Sequence, residues 1–193
     1  MVSLSSRAIA NQGVHMKKGI ILALVLCVLA TGIVYAGKVS ISAQITPYSL
    51  QIVSAADGSH VSTYGYGAKG GFRVNVWDNL SAGLDMDFNI YKYDELASDY
   101  IVIALRAAAG YSYDFSDRFY AEADLGVGFD NRKVGSYGKT YFGADLYLGC
   151  GYKLSGDVAA TAGADVGLGL QKGRFSKSLD ISVKTRFGLL MAL

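Results

Sequence analysis

Residues 80–90 read LSAGLDMDFNI, and their two parities differ in kind. The even positions Leu80, Ala82, Leu84, Met86, Phe88 and Ile90 are all apolar, whereas the odd positions Ser81, Gly83, Asp85, Asp87 and Asn89 are polar or glycine. Successive side chains of a strand point to opposite faces, so this stretch predicts a strand with one apolar and one polar face. The same alternation recurs along residues 37–193, in segments at about 38–52, 61–76, 80–93, 100–115, 118–130, 139–154, 157–171 and 178–193. Evenly spaced segments separated by turn residues predict an all-β meander or barrel.

Composition agrees. Gly and Tyr are abundant and Pro47 is the lone proline, which suits many strands and few helices. A formal net charge of +2 is small for this length and argues against a nucleic-acid binder. Ahead of the alternating region, Gly19–Ala36 is a continuous apolar run preceded by Met16-Lys17-Lys18 and closed by Val34-Tyr35-Ala36. A charged start, an apolar middle and a small-residue end describe a cleavable signal peptide. The competing reading is a spanning helix, since such a run is near the minimum of roughly 18 residues needed to cross. Residues 1–36 are therefore assigned to an upstream extension and signal peptide, with Met16 as the expected start, and residues 37–193 to one domain. Cys27 follows Leu26 rather than a small residue, so lipidation is not expected there. Cys150 would be the one cysteine left after cleavage, which excludes a disulfide framework or a metal cluster.

The connections are unequal in an ordered way. Trp77-Asp78-Asn79, Ser116-Asp117 and Ser155-Gly156 are tight and rich in turn formers. Val53–His60, Asp94–Asp99, Asn131–Gly138 and Lys172–Lys177 alternate with them and are longer. Short turns at one end and longer loops at the other are the arrangement of a membrane barrel.

Which face is inside is decided by glycine. The polar parity carries Gly65, Gly67, Gly71, Gly83, Gly110, Gly126, Gly128, Gly143, Gly149, Gly151, Gly163, Gly167, Gly169 and Gly188, while the apolar parity carries Gly70. Glycine has no reason to crowd a wet surface but fits a narrow interior where backbones and large side chains compete for room. Tyr64, Tyr66, Phe72, Met86, Phe88, Leu105, Phe142 and Phe187 make the apolar face too bulky for such an interior. Aromatic placement points the same way. Tyr64, Tyr66, Phe129 and Phe142 lie near the loop ends of their strands, and Tyr111, Tyr113, Phe115, Phe119 and Tyr152 near the tight turns. Two separated belts are what amphipathic rings form at two membrane interfaces. The apolar face is thus expected to meet lipid.

The polar face becomes the core. Lys69, Asp87, Arg106, Asp124, Asp145, Asp165, Lys184 and Arg186 are expected at similar height near mid-barrel, with Asp85, Glu122, Arg73 and Lys153 nearer the turns. Buried charges persist when paired and hydrogen-bonded, so an interlocked salt-bridge layer is expected. A lumen of eight strands is just wide enough for side chains to fill, which implies a plug rather than a pore.

These features together resemble the small OmpA/OmpX-type outer-membrane barrels. The resemblance rests on pattern over residues 37–193 rather than on a motif string, and it implies fold more than function. It also implies an outer membrane of a Gram-negative-type bacterium, contact with membrane lipid and lipopolysaccharide, and recognition by the outer-membrane assembly machinery. A monomer without cofactor or metal is expected. The family usually ends in an aromatic residue, whereas Phe187, Leu189, Met191 and Leu193 alternate here and end in leucine. Across Pro47 the apolar phase shifts from odd (Val39, Ile41, Ala43, Ile45) to even (Tyr48, Leu50, Ile52), which predicts a bulge.

For chemistry, the mature chain offers His60 beside Ser59 and Asp57, neighbours on one loop rather than the converging groups a triad needs. Asp94, Glu95 and Asp99 could hold a divalent cation or bridge to lipopolysaccharide, against a default of solvated charges. The alanines Ala107, Ala109, Ala160, Ala162 and Ala164 could let barrels approach each other or merely pack against lipid. No enzymatic activity is expected. A structural or surface role is favoured, and the alternative is a narrow channel or an OmpW-like transporter of small hydrophobic molecules.

Overall fold

The computed structural model describes residues 38–54, 59–92, 99–134, 137–172 and 177–193. The signal-peptide assignment, Cys27, Asp57, Asp94 and Glu95 lie outside the described residues. Eight strands follow in chain order: β1 (Val39–Ser54), β2 (His60–Trp77), β3 (Leu80–Lys92), β4 (Tyr100–Asp114), β5 (Phe119–Val134), β6 (Tyr137–Lys153), β7 (Val158–Lys172) and β8 (Lys177–Ala192). Each pairs antiparallel with its neighbour in sequence, and β1 closes on β8 to complete a barrel. Closure removes the open edges that a free sheet would present.

Register is set by the inward charges. Lys69 stands opposite Asp87, Asp85 opposite Arg106, and Asp165 opposite Lys184. Slipping any of these ladders by one residue would turn the carboxylates and cations of that strand toward lipid. The parity of residues 80–90 is reproduced in space, with Asp85, Asp87 and Asn89 buried while Met86 and Phe88 are exposed. Among the other outward side chains are Tyr66, Leu105, Leu125, Phe142, Leu168 and Phe187. Aromatic pairs stand at both ends of this surface. Phe129 and Phe142 meet edge to face with centroids 6.1 Å apart at the loop end. Phe119 and Tyr152 lie 4.9 Å apart at the turn end.

Turn chemistry follows residue type. Asp78 adopts a positive φ of 26° in the β2–β3 turn, a conformation Asp tolerates better than most residues. At the β4–β5 turn the Ser116 hydroxyl oxygen accepts from the Arg118 and Phe119 amides at 3.3 and 3.1 Å, which closes the chain locally. In β1 the ladder to β2 shifts register between Thr46 and Ser49 and the ladder to β8 between Ile45 and Ser49, so the strand carries one extra residue around Pro47. Proline cannot donate to a ladder, and the bulge moves the inward parity from Gln44 and Thr46 to Ser49 and Gln51.

One boundary differs from the sequence reading. β5 runs to Val134 and β6 begins at Tyr137, so most of Asn131–Gly138 is strand rather than loop. Asp130 and Arg132 continue the inward parity of Asp124, Gly126 and Gly128, and their lumenal ion pairs keep the ladder going.

Candidate functional site

The lumen is where the chain concentrates its polar side chains. Glycine makes room for them. A Cβ on Gly163 would lie 2.6 and 2.7 Å from ring carbons of Tyr147, and one on Gly65 would lie 2.7 Å from a ring carbon of Tyr91. Tyr91 and Tyr147 are fully buried in the notches so formed. On the lipid side, a Cβ on Gly70 would meet only the Ser42 carbonyl oxygen, at 4.0 Å.

The ion pairs fall into two sets. The first joins Arg73, Asp124, Asp85, Lys69, Asp165, Arg186, Asp87 and Lys184. Arg186 is 0% exposed; its Nε donates to Asp165 at 2.6 Å and its Nη2 to Asp87 at 2.7 Å, while Nη1 reaches Asp87 at 3.1 Å and Thr46. Lys184 donates to Asp87 at 2.5 Å. Lys69 lies 3.0 Å from Asp85 and 3.9 Å from Asp165. Arg73 forks onto Asp85 and reaches Asp124 at 3.4 Å. The four cations and four carboxylates of this set balance.

The second set lies toward the loop end. Arg106 contacts Asp145 at 3.2 Å and also Asp130. Arg132 bridges Asp130, at 3.2 Å, and Asp180, which also accepts from Gln51 at 2.8 Å. The Arg132 guanidinium lies over the Tyr141 ring, 4.7 Å from its centroid. Ser49 and Tyr91 share a hydrogen bond of 2.8 Å in the same region.

Of the residues singled out in sequence, Lys69, Asp85, Asp87, Asp165, Lys184 and Arg186 come together with Arg73 and Asp124. Arg106 and Asp145 meet in the other set. Glu122 joins neither, and lies beside the Tyr147 hydroxyl. Lys153 pairs with Asp114 at 3.0 Å at the exposed turn end. Sequence reasoning missed Asp130, Arg132, Asp180 and Gln51. Parity was the available signal, since each shares the inward phase of its strand.

The two kinds of pair should respond differently to mutation. Arg106→Ala leaves Asp145 short of its cation and Asp130 with Arg132 alone, so a loss of several kcal/mol, of order 3, is expected in urea titrations of micelle-refolded protein. Lys153→Ala removes a solvated pair and should shift stability by less than about 1 kcal/mol.

Other candidate groups are dispersed. His60 Nδ1 lies 2.9 Å from Ser54 Oγ at the exposed end of β1. Asp99 and Cys150 are exposed, the latter on the lipid-facing parity. Among the described residues no group of three or more His, Cys, Asp or Glu side chains could hold a metal ion. At the turn end the lumen widens into a chamber of about 360 Å³, whereas the cavity among the second set measures about 20 Å³.

Comparison with known proteins agrees with this architecture. The model of the outer membrane protein beta-barrel domain family matches residues 20–187. No curated protein matches the chain in sequence. Among solved structures, Neisserial surface protein A superposes with a TM-score of 0.58 at 17% identity, covering 80% of this chain and 98% of that one. OprG from Pseudomonas aeruginosa gives 0.49 at 14% identity over 82% and 96% of the two chains. The attachment invasion locus protein Ail of Yersinia pestis gives 0.45 at 12% identity over 79% and 99%. With the closed eight-strand barrel, its apolar exterior and its charged lumen in place, the chain belongs to the outer-membrane β-barrel domain family and resides in the outer membrane of a Gram-negative-type bacterium.

Proposed function

We propose that the protein is an integral outer-membrane barrel with a structural and surface role, its lumen shut by the ion-pair network. The observation that carries this reading is Arg186. From β8 it binds Asp165 on β7 and Thr46 on β1, the two adjoining strands, and reaches across the interior to Asp87 on β3. A fully buried guanidinium with this many partners fills the lumen with side chains at its level, in keeping with an eight-strand interior just wide enough for side chains. In this reading the chain performs no catalysis. The signal peptide delivers it across the inner membrane, the alternating Phe187, Leu189 and Met191 of β8 address it to the assembly machinery, and its belts sit at the lipid and lipopolysaccharide interfaces.

Planar-bilayer recording tests the closed lumen. The wild-type protein should insert without steady unit conductance. Reproducible openings would contradict the plug and favour transport. A deletion strain should show detergent sensitivity with unchanged uptake of small hydrophobic solutes; reduced uptake would likewise favour transport.

A further inference from the structure

The chamber at the turn end is more than a mouth. Its volume of about 360 Å³ lies in the range of small-molecule sites, and Gln44, Arg73, Tyr120, Glu122, Asp124 and Thr161 help to line it. The lumenal carboxylates Asp85, Asp87, Asp124, Asp130, Asp145, Asp165 and Asp180 each have a guanidinium or ammonium no further than 3.4 Å away. Glu122 faces the chamber with no ion-pair partner among the described residues. Its neighbours are the Tyr147 hydroxyl and the acidic Asp124. The nearby Arg73 is already committed to Asp85 and Asp124.

A second observation is independent of the carboxylates. Tyr120 is 7% exposed, and its hydroxyl has no hydrogen-bond partner among the described residues. Its ring occupies the notch at Gly151, beside the Tyr147 ring over Gly149 and Gly163. The chamber thus offers an uncompensated carboxylate and aromatic faces, with an unpartnered phenol oxygen buried in its wall. A group with a positive charge and several N–H donors complements all three. An ammonium on a phenol face already occurs in this lumen, where Lys69 Nζ lies 5.5 Å from the Tyr147 ring centroid. A bare divalent metal fits less well, because it needs several ligands converging on one point and none such is found among the described residues.

Short turns face the periplasm in outer-membrane barrels. We infer that the chamber at that end binds a small periplasmic solute through a primary ammonium group, with Glu122 as its counter-ion, Asp124 as a further acceptor and Tyr120 as the aromatic wall whose hydroxyl can accept from it. This reading goes beyond the structural role and does not depend on whether the lumen conducts.

Amide spectra of the folded barrel in micelles test it, with 1,4-diaminobutane as the probe and 1,4-butanediol as its uncharged counterpart. The diamine should shift the Glu122, Gly149 and Gly151 amides saturably while the diol leaves them in place. Glu122→Gln keeps the shape but removes the charge, and should weaken diamine binding about tenfold or more. Equal shifts from diol and diamine would overturn the inference, as would undiminished binding to Glu122→Gln. So would saturation by calcium chloride without saturation by the diamine, which would mark a metal site instead. The comparison of diamine with diol on the wild-type barrel decides the matter even if the variant does not fold.

Discussion

Replacing Arg186 by leucine should lower the stability of the refolded barrel by about 3–5 kcal/mol, the largest effect expected of any single lumenal side chain. The reason is what the change leaves behind. Asp165 loses a donor at 2.6 Å, Asp87 loses two at 2.7 and 3.1 Å, and Thr46 loses its partner, and all three are buried. Lys184 still serves Asp87, but Asp165 retains only Lys69, at 3.9 Å. An isolated buried carboxylate costs several kcal/mol even after relaxation. Arg186→Lys separates charge from geometry: it keeps the cation but cannot fork onto two carboxylates, so an intermediate loss is expected. Urea midpoints in micelles read both variants. A leucine variant as stable as the wild type would mean that the network does not hold the lumen.

The second large effect should come from adding one carbon atom. Gly163→Ala places a methyl 2.6 and 2.7 Å from ring carbons of Tyr147, with the Leu148 carbonyl oxygen at 2.5 Å on the other side. The ring has little room to retreat, because Tyr147 is fully buried and its hydroxyl accepts from Gln44 at 3.5 Å. Overpacking of this kind costs about 1–3 kcal/mol, and Gly163→Val should cost more. Gly70→Ala is the control. Its methyl points toward lipid into open space, so stability should change by no more than about 0.5 kcal/mol. Equal losses at the two positions would remove the steric reason for the lumenal glycines.

Much of the fold was legible in the chain because a strand's period is two and every wall of a barrel separates the same two environments. Asp85 and Asp87 against Met86 and Phe88 already announce both faces, and the aromatic belts and glycines decide which one is wet. The end of β5 was less legible. Asn131, Arg132 and Lys133 are polar on both parities, so hydropathy gives no alternation there, and the strand continues because Asp130 and Arg132 find partners across the lumen. Asp180 was readable by the same parity, since it stands between Leu179 and Ile181 at the start of the last segment, but its ion pair depends on Arg132 across the lumen. Pairing was harder still. Parity places a charge in the lumen, but which cation meets which carboxylate depends on register and tilt. Asp124, grouped in sequence with the mid-barrel charges, pairs with Arg73 among the described residues, and Glu122 lies beside a tyrosine with no ion pair among them. Pro47 was readable because the phase shift and the missing donor coincide at one position.

Tryptophan fluorescence in vesicles of brominated lipid tests the inside-out arrangement most directly. Trp77 is the chain's only tryptophan and stands exposed beside the β2–β3 turn. In a Trp77→Phe background, Leu105→Trp and Val102→Trp place the probe on the two faces of β4, where Leu105 is 53% exposed and Val102 is 6% exposed. The account predicts strong quenching of the Leu105 probe by bromines deep in the acyl chains, little quenching of the Val102 probe, and shallow quenching of native Trp77 in the unmodified chain. Quenching at position 102 together with protection at position 105 would contradict it.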